Sequence, residues 1–175
     1  ITTLTGTTLD AHGGGTLSCG GDLCVSANRA IISNAAIDVS GGGGGGNIDM
    51  LAQGAITLNG SILALATTDG GTGGDISIEA GVDGFGAMAI NSTVDVTGGN
   101  CDVLGSCGVG GLADLGGCDL TVATTGTVRS SGGSGGIIML TAREQLTIRG
   151  TVNAIHGVGP AADGSNGIKH PSRKT

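Results

Sequence analysis

The sequence predicts an all-β fold, a parallel β-helix (β-solenoid) with three short strands per coil and about five to six coils. Three observations predict it. A first phrase, two glycines and a polar residue followed by alternating apolar residues, recurs at roughly 25-residue spacing, which is typical of solenoids. A second phrase, with alternating apolar and polar residues around a small central residue, follows it. Glycine makes up 39 of the 175 residues without the three-residue period of collagen.

The first phrase predicts the first strand of each coil. Its copies are Gly20–Ala27, Gly45–Ala52, Gly73–Ala80, a looser Gly117–Thr124, and Gly135–Ala142. Side chains alternate along a strand, so stacked copies should align their apolar residues in inward columns. The predicted columns are Leu23, Ile48, Ile76, Leu120 and Ile138; Val25, Met50, Ile78, Val122 and Leu140; and the small residues Ala27, Ala52, Ala80, Thr124 and Ala142.

The second phrase predicts two further strands in each coil. Its copies are Ile32–Val39, Ile56–Ala64, Met88–Val96 and Leu146–Ala154. Their period of two is that of a half-buried strand, and the small central residue, such as Gly60, permits a bend. Glycine runs such as Gly41–Gly46 should close each coil, because glycine adopts a positive φ at little steric cost. We expect right-handed winding, the usual hand of parallel crossovers.

The domain organisation follows from the same repeat. Length and pattern predict a single β-solenoid domain over residues 1–175. A long cysteine-bearing insert at about residues 97–118 interrupts the third coil, and residues 165–175 form an irregular basic C-terminal end.

Five cysteines bear on the compartment. None of their spacings fits a C-x-x-C metal knuckle, so disulfides in an oxidising, extracellular setting are the better interpretation. We expect Cys19 to pair with Cys24, and Cys101 to pair with either Cys107 or Cys118. One cysteine then remains free or links neighbouring subunits.

The charge distribution limits the partners. The net charge is −7, which argues against nucleic acid and anionic membranes, and no run of residues is long and apolar enough for membrane insertion. The chain opens in mid-coil and closes with a degenerate first phrase, so the end of one copy joined to the start of the next gives one nearly complete coil. Exposed strands at coil ends can pair with another chain. The predicted head-to-tail interface comprises Ile1, Leu4, Asp10, Asp22, Ile168, Lys169, Arg173 and Lys174.

The sequence gives little support for calcium binding, catalysis or sugar binding, and it contains two glycosylation motifs. Gly70–Ile78 approximates a calcium-binding nonapeptide repeat, but Ser77 stands where that motif needs an apolar residue, so we predict no cofactor and keep Ca²⁺ as an alternative. Single aspartates spread along the repeat, with no catalytic motif, predict that the chain is not an enzyme. The absence of Trp and Tyr disfavours a sugar-binding platform. Asn59 and Asn91 stand in N-x-[ST] glycosylation motifs.

The repeats G-G-D-I-x-I-x-A (Gly73–Ala80) and L-T-I-x-G-x-V-x-A (Leu146–Ala154) resemble those of glycine-rich bacterial surface β-helices, of the filamentous-haemagglutinin and autotransporter-passenger type. The resemblance covers roughly residues 20–154. It implies a cell-surface or extracellular location and other surface components as partners. The coil that is split between the two ends of the sequence leads us to expect a structural subunit of an extracellular fibre or surface layer, built by end-to-end stacking of coils. The alternative is a segment of a larger adhesin that binds through the cysteine-bearing insert, and a polysaccharide-acting enzyme is more remote.

Overall fold

The protein folds as a parallel β-solenoid of about five stacked coils, seen in a computed structural model that describes residues 8–102, 104–155 and 167–169. Every strand pair among these residues is parallel, and the described chain contains no α-helix. The predicted fold class is confirmed. The hand of the winding remains a prediction.

Each coil has three faces. The first face consists of β2 (Asp22–Ala27), β5 (Asn47–Ala52), β8 (Asp75–Ala80), the first halves of β11 (Leu112–Val122) and β13 (Ile137–Ile148), and β15 (Gly167–Lys169). The second face consists of β3 (Ile31–Ser33), β6 (Ile56–Leu58), β9 (Met88–Ile90) and the second halves of β11 and β13. The third face consists of β1 (Thr8–Asp10), β4 (Ala36–Asp38), β7 (Ile62–Leu63), β10 (Thr93–Asp95), β12 (Thr127–Arg129) and β14 (Thr151–Asn153).

The core is a continuous apolar column inside the coils. Ile48 pairs in register with Ile76, and the third face adds Ile62 and Val94, all of them at most 1 % exposed. An inward-facing side chain of one coil contacts the equivalent side chain of the next coil, because stacked strands are about 4.8 Å apart along the axis. The period-two pattern of both phrases therefore produces the core directly.

One copy of the first phrase lies elsewhere than predicted. Ala113 and Leu115, not Leu120 and Val122, align with Ile76 and Ile78, so the fourth copy begins at Gly110-Gly111. Leu120 and Val122 instead align with Met88 and Ile90 on the second face. Gly117, not Thr124, stands in the small column beside Ala142. Because Ala113 is small, the alternation of apolar residues in this copy is weak, whereas the Gly110-Gly111 pair marks where the copy begins.

The predicted insert is shorter than residues 97–118. Strand β11 begins at Leu112, so the loop of the third corner ends at residue 111. In this coil and the next, β11 and β13 run through the corner between the first and second faces as single strands. The turns that separate β2 from β3 and β8 from β9 in earlier coils are absent there. The chain turns this corner at a register shift between Gly117 and Asp119 instead.

The Gly-Gly pairs form the third corner, between the third and first faces. The N–H of the second glycine donates to a carbonyl just after the third-face strand: Gly46 to Val39 (2.7 Å), Gly74 to Ala64 (2.8 Å) and Gly111 to Val96 (2.8 Å). This bond joins the two ends of the corner loop whatever lies between them. Loops of different length therefore leave the same corner geometry.

Close approach explains why these positions are glycine. A Cβ on Gly111 would lie 1.8 Å from the carbonyl oxygen of Gly74, and a Cβ on Gly74 would lie 1.9 Å from that of Gly46. The expectation that Gly41–Gly46 turn by a positive φ is wrong, because none of those glycines has one. Successive coils meet backbone to backbone at this corner, and a side chain does not fit between them.

Candidate functional site

The edge of β2 that faces away from β5 has no partner strand among the described residues. Asn47 donates its N–H to the carbonyl of Gly21, and Gln53 donates to that of Ala27. Because backbone groups of a parallel strand alternate in direction, the N–H and C=O groups of Asp22, Cys24 and Ser26 lie on the opposite edge. No described strand pairs with these groups, and such a row of hydrogen-bonding groups is a template for another strand.

The apolar core reaches the surface at both ends of the described coils. In the first coil Leu23 and Val25 are half-buried, whereas the equivalent Ile48 and Met50 one coil further are 1 % exposed. At the other end Leu146 is half-buried and Ile148 is 42 % exposed, although Val122, in register with Ile148, is fully buried. Stacking another coil on either end would bury these side chains.

The predicted interface residues that lie within the described part are at these two ends. Asp22 accepts a hydrogen bond from the Asn47 amide at 2.9 Å, and Asp10 bonds to His12. Ile168 and Lys169 belong to β15, where they stand in register with Ile138 and Met139. Ile1, Leu4, Arg173 and Lys174 lie outside the described residues.

The Asp10–His12 pair is an exposed, pH-sensitive contact. Asp10 Oδ1 lies 2.5 Å from His12 Nδ1 and 3.0 Å from the His12 backbone nitrogen. The hydrogen bond to Asp10 raises the pKa of the His12 imidazole above its ordinary value. The backbone N–H of His12, followed by the imidazole, lowers the pKa of the Asp10 carboxyl. The ion pair therefore exists between the folded-state pKa of Asp10 and that of His12.

The substitution Asp10→Asn should lower the pKa of His12 toward that of a free histidine, because the carboxylate that holds the proton is removed. By linkage, the contribution of His12 to stability is complete below about pH 6.5 and is lost as the pH rises through its raised pKa. Asp10 contributes above its ordinary pKa, about 3.9, and loses that contribution as the pH falls. The measurement is an NMR titration of the His12 ring. Equal midpoints in parent and variant would contradict the pairing.

The cysteines are placed differently from the first prediction. Cys101 and Cys107 form a disulfide, which decides between the two predicted partners of Cys101. The pairing of Cys19 with Cys24 is wrong, since both are free and exposed. Cys19 pairs through its backbone with Gly44 inside the third-corner loop, whereas Cys24 pairs with Asp49 in the middle of the first face. The chain carries them apart along the coil.

Cys118 is buried, contrary to its predicted place in the insert. Its side chain is 9 % exposed at the register shift of β11, and its N–H donates to the carbonyl of Gly86 at 2.8 Å. Burial raises the pKa of the Cys118 thiol, and the nearby Glu144 carboxylate raises it further. A thiolate at this position is disfavoured, so the thiol should react slowly.

Thiol labelling of the native protein should therefore show two fast groups, Cys19 and Cys24. Cys118 should react only in denaturant, and Cys101 and Cys107 only after reduction. The rates can be followed with a chromogenic disulfide reagent, and peptide mapping identifies each labelled site. Fast labelling of Cys118 in the native state would contradict its burial, and the variant Cys118→Ser, which should leave both fast phases intact, is the control.

The disulfide fixes the tip of the third-corner loop between β10 and β11. Inside it, Asp102 Oδ1 accepts the backbone N–H groups of Leu104 (2.9 Å) and Ser106 (2.8 Å). Gly105 has a positive φ of 85°, which an L side chain rarely adopts. These contacts hold Leu104 at the tip, where 91 % of its surface is exposed.

The two candidate glycosylation residues belong to an asparagine ladder. The Asn59 amide donates to the Asn34 side-chain oxygen, and the Asn91 amide donates to that of Asn59, both at 2.8 Å. The three residues stack at the bend between the second and third faces. The ladder gives these asparagines a structural role in the repeat, and it engages the amide nitrogens to which a glycan would be attached.

The carboxylates at the start of the third corner cap turns. Asp38 accepts the N–H of Ser40, Asp95 accepts that of Thr97, and Asp10 accepts that of His12 in the same way. In the segment proposed for calcium, Asp75 accepts the backbone N–H of Leu112 at 3.3 Å. Residues 8–102 and 104–155 hold no group of three or more His, Cys, Asp or Glu side chains placed to bind a metal ion.

Searches among protein-family models, curated proteins and solved structures found no match to this chain. The structure shows a β-solenoid with a disulfide, and no match supports membership of the bacterial surface β-helix families. A disulfide is compatible with an extracellular location. Among the described residues, no helix is long and apolar enough to cross a membrane.

Proposed function

We propose that this protein is a structural subunit of an extracellular fibre or surface layer, in which coils of successive copies stack end to end. The observation that carries the proposal is the pair of open ends. Apolar core side chains such as Leu23 and Val152 are partly exposed there, beside strand edges that have no partner among the described residues. Joining two ends buries these side chains and adds backbone hydrogen bonds.

A contact between two different ends propagates, because each added copy presents a fresh end. The parallel pairing of every described coil supplies the geometry that a junction would repeat. The partner is thus another copy of the chain, and no cofactor, nucleic acid or membrane insertion is part of the proposal. Other surface components would contact the sides of the rod, because stacked copies occupy its ends.

Electron microscopy of the purified chain at high concentration tests this function. We expect unbranched filaments with a layer line at about 4.8 Å, the spacing of stacked strands, and an axial subunit repeat near six coils. Dispersed particles at every concentration would contradict the proposal.

A second candidate is a segment of a larger cell-surface adhesin. The observation that favours it is Leu104, exposed at the tip of a loop that the Cys101–Cys107 disulfide and Asp102 hold in one shape. Binding residues are often carried by loops that a rigid scaffold positions. Dispersed particles in the microscope would direct the search for a ligand to this loop.

A further inference from the structure

The first face keeps one register from its first described strand to its last. Asp22 aligns with Asn47, Asn47 with Asp75, Asp75 with Leu112 and Leu112 with Ile137. Strand β15 continues this register, because Gly167, Ile168 and Lys169 stand opposite Ile137, Ile138 and Met139. Ile168 therefore occupies the register position of Leu23, and Lys169 that of Cys24.

The two ends of the described solenoid are complementary steps. At one end β1 extends the third face one strand beyond the coil that contains β2. At the other end β15 extends the first face one strand beyond the coil that contains β14. When β15 of one copy is placed one strand spacing from β2 of the next copy, β14 of the first copy lies one strand spacing from β1 of the next copy. The steps on the first and third faces then close together, whereas the second face has no described strand at the level of β15.

From this geometry, and resting on the proposed fibre function, we infer the register of the junction: β15 of one copy pairs in parallel with β2 of the next, and β14 pairs with β1. Gly167 then lies opposite Asp22, Ile168 opposite Leu23, and Lys169 opposite Cys24. On the third face, Thr151, Val152 and Asn153 lie opposite Thr8, Leu9 and Asp10. The partner is a second copy of this chain in the same orientation.

Charge supports this polarity over a head-to-head contact. Opposite ends bring the cationic Lys169 to a first-face edge that carries Asp22, with Asp49 one strand further in the column of Cys24. Two N-terminal ends placed against each other would each contribute Asp22 and Asp10 and would lack the countercharge of Lys169. Like charges facing each other across paired strands are destabilising.

The native thiol of Cys24 provides a direct test of this register. In a Cys19→Ser background, the substitution Lys169→Cys places a second thiol opposite Cys24 of the next copy. Adjacent parallel strands are about 4.8 Å apart, within the Cα separation of about 4.4–6.8 Å that a disulfide spans. Copper–phenanthroline oxidation of assembled protein should give a ladder of covalent multimers on a non-reducing gel, with the 24–169 link identified by peptide mapping.

Two matched controls decide the result. Adding Cys24→Ser should abolish the ladder, and Gly167→Cys in place of Lys169→Cys should give at least about tenfold less cross-linking, since its opposite residue is Asp22. Filaments that form without the 24–169 link, or that cross-link better from position 167, would overturn the register while the fibre function stands. If no filaments form in the parent or the variants, the fibre function and the register both fail.

Discussion

Replacing Gly111 by alanine is expected to lower the free energy of unfolding by about 3 kcal/mol or more. The new Cβ would lie 1.8 Å from the carbonyl oxygen of Gly74 and 2.8 Å from the carbonyl carbon of Gly73. These are backbone atoms of the neighbouring coil, so no side-chain rotation relieves the overlap. The two coils must therefore move apart at this corner to admit the methyl group.

Gly116→Ala is the matched control for this substitution. Gly116 lies in β11, the strand that begins directly after Gly111, and the nearest atom to its Cβ would be Glu79 Cγ at 3.9 Å. Its φ is not positive, so alanine should be neutral or stabilise by up to about 1 kcal/mol through the unfolded chain. Urea denaturation followed by circular dichroism measures both variants. Equal midpoints would contradict the backbone contact between coils.

Leu23→Lys should abolish filament formation while the single molecule stays folded. Leu23 is half-buried in the first coil, so a lysine there can reach water in the free protein. In a junction the same ammonium would be enclosed among apolar side chains, which costs several kcal/mol. The affinity of one end for another should therefore fall by at least about a hundredfold.

Ser26→Lys is the control for this effect, because it adds the same charge to the same strand on the exposed outward face. It should leave assembly largely intact. Sedimentation velocity and electron microscopy measure assembly, and circular dichroism checks the fold. If Leu23→Lys assembles as the parent does, burial of the core ends does not drive stacking. If both variants fail, the added charge is responsible and not its burial.

The sequence predicts the repeat correctly because each coil of a solenoid is built from short segments whose residue patterns are local. Alternation along each phrase marks the inward columns, and the small residue at the bend marks the second corner. The error at Leu120 arose because two apolar segments lie next to each other in β11, and both fit the same pattern. The Gly-Gly pair was the better guide, since a close backbone contact requires it, whereas alternation alone only permits a strand.

Contacts between residues that are distant in the sequence could not be predicted from it. The ladder of Asn34, Asn59 and Asn91 depends on the stacking of three bends. At Asn59 and Asn91 the local N-x-[ST] motif indicates glycosylation and not a ladder. Likewise, Cys118 is buried because of the register shift beside it, which no spacing of cysteines reveals. The open ends could be expected from the repeat, but how much of the core they expose depends on the packing of the end coils, where Leu23 is only half-buried.

The hydrogen bond that closes the third corner makes loop length independent of coil geometry. The same bond spans residues 39–46, 64–74 and 96–111, although the enclosed segments differ more than twofold in length. The rod can therefore acquire or lose sequence at this corner without a change in its pitch or its core. Along a fibre, such loops would form a single line of variable segments on one side. This arrangement would let the exterior of the polymer diversify while its backbone lattice stays constant.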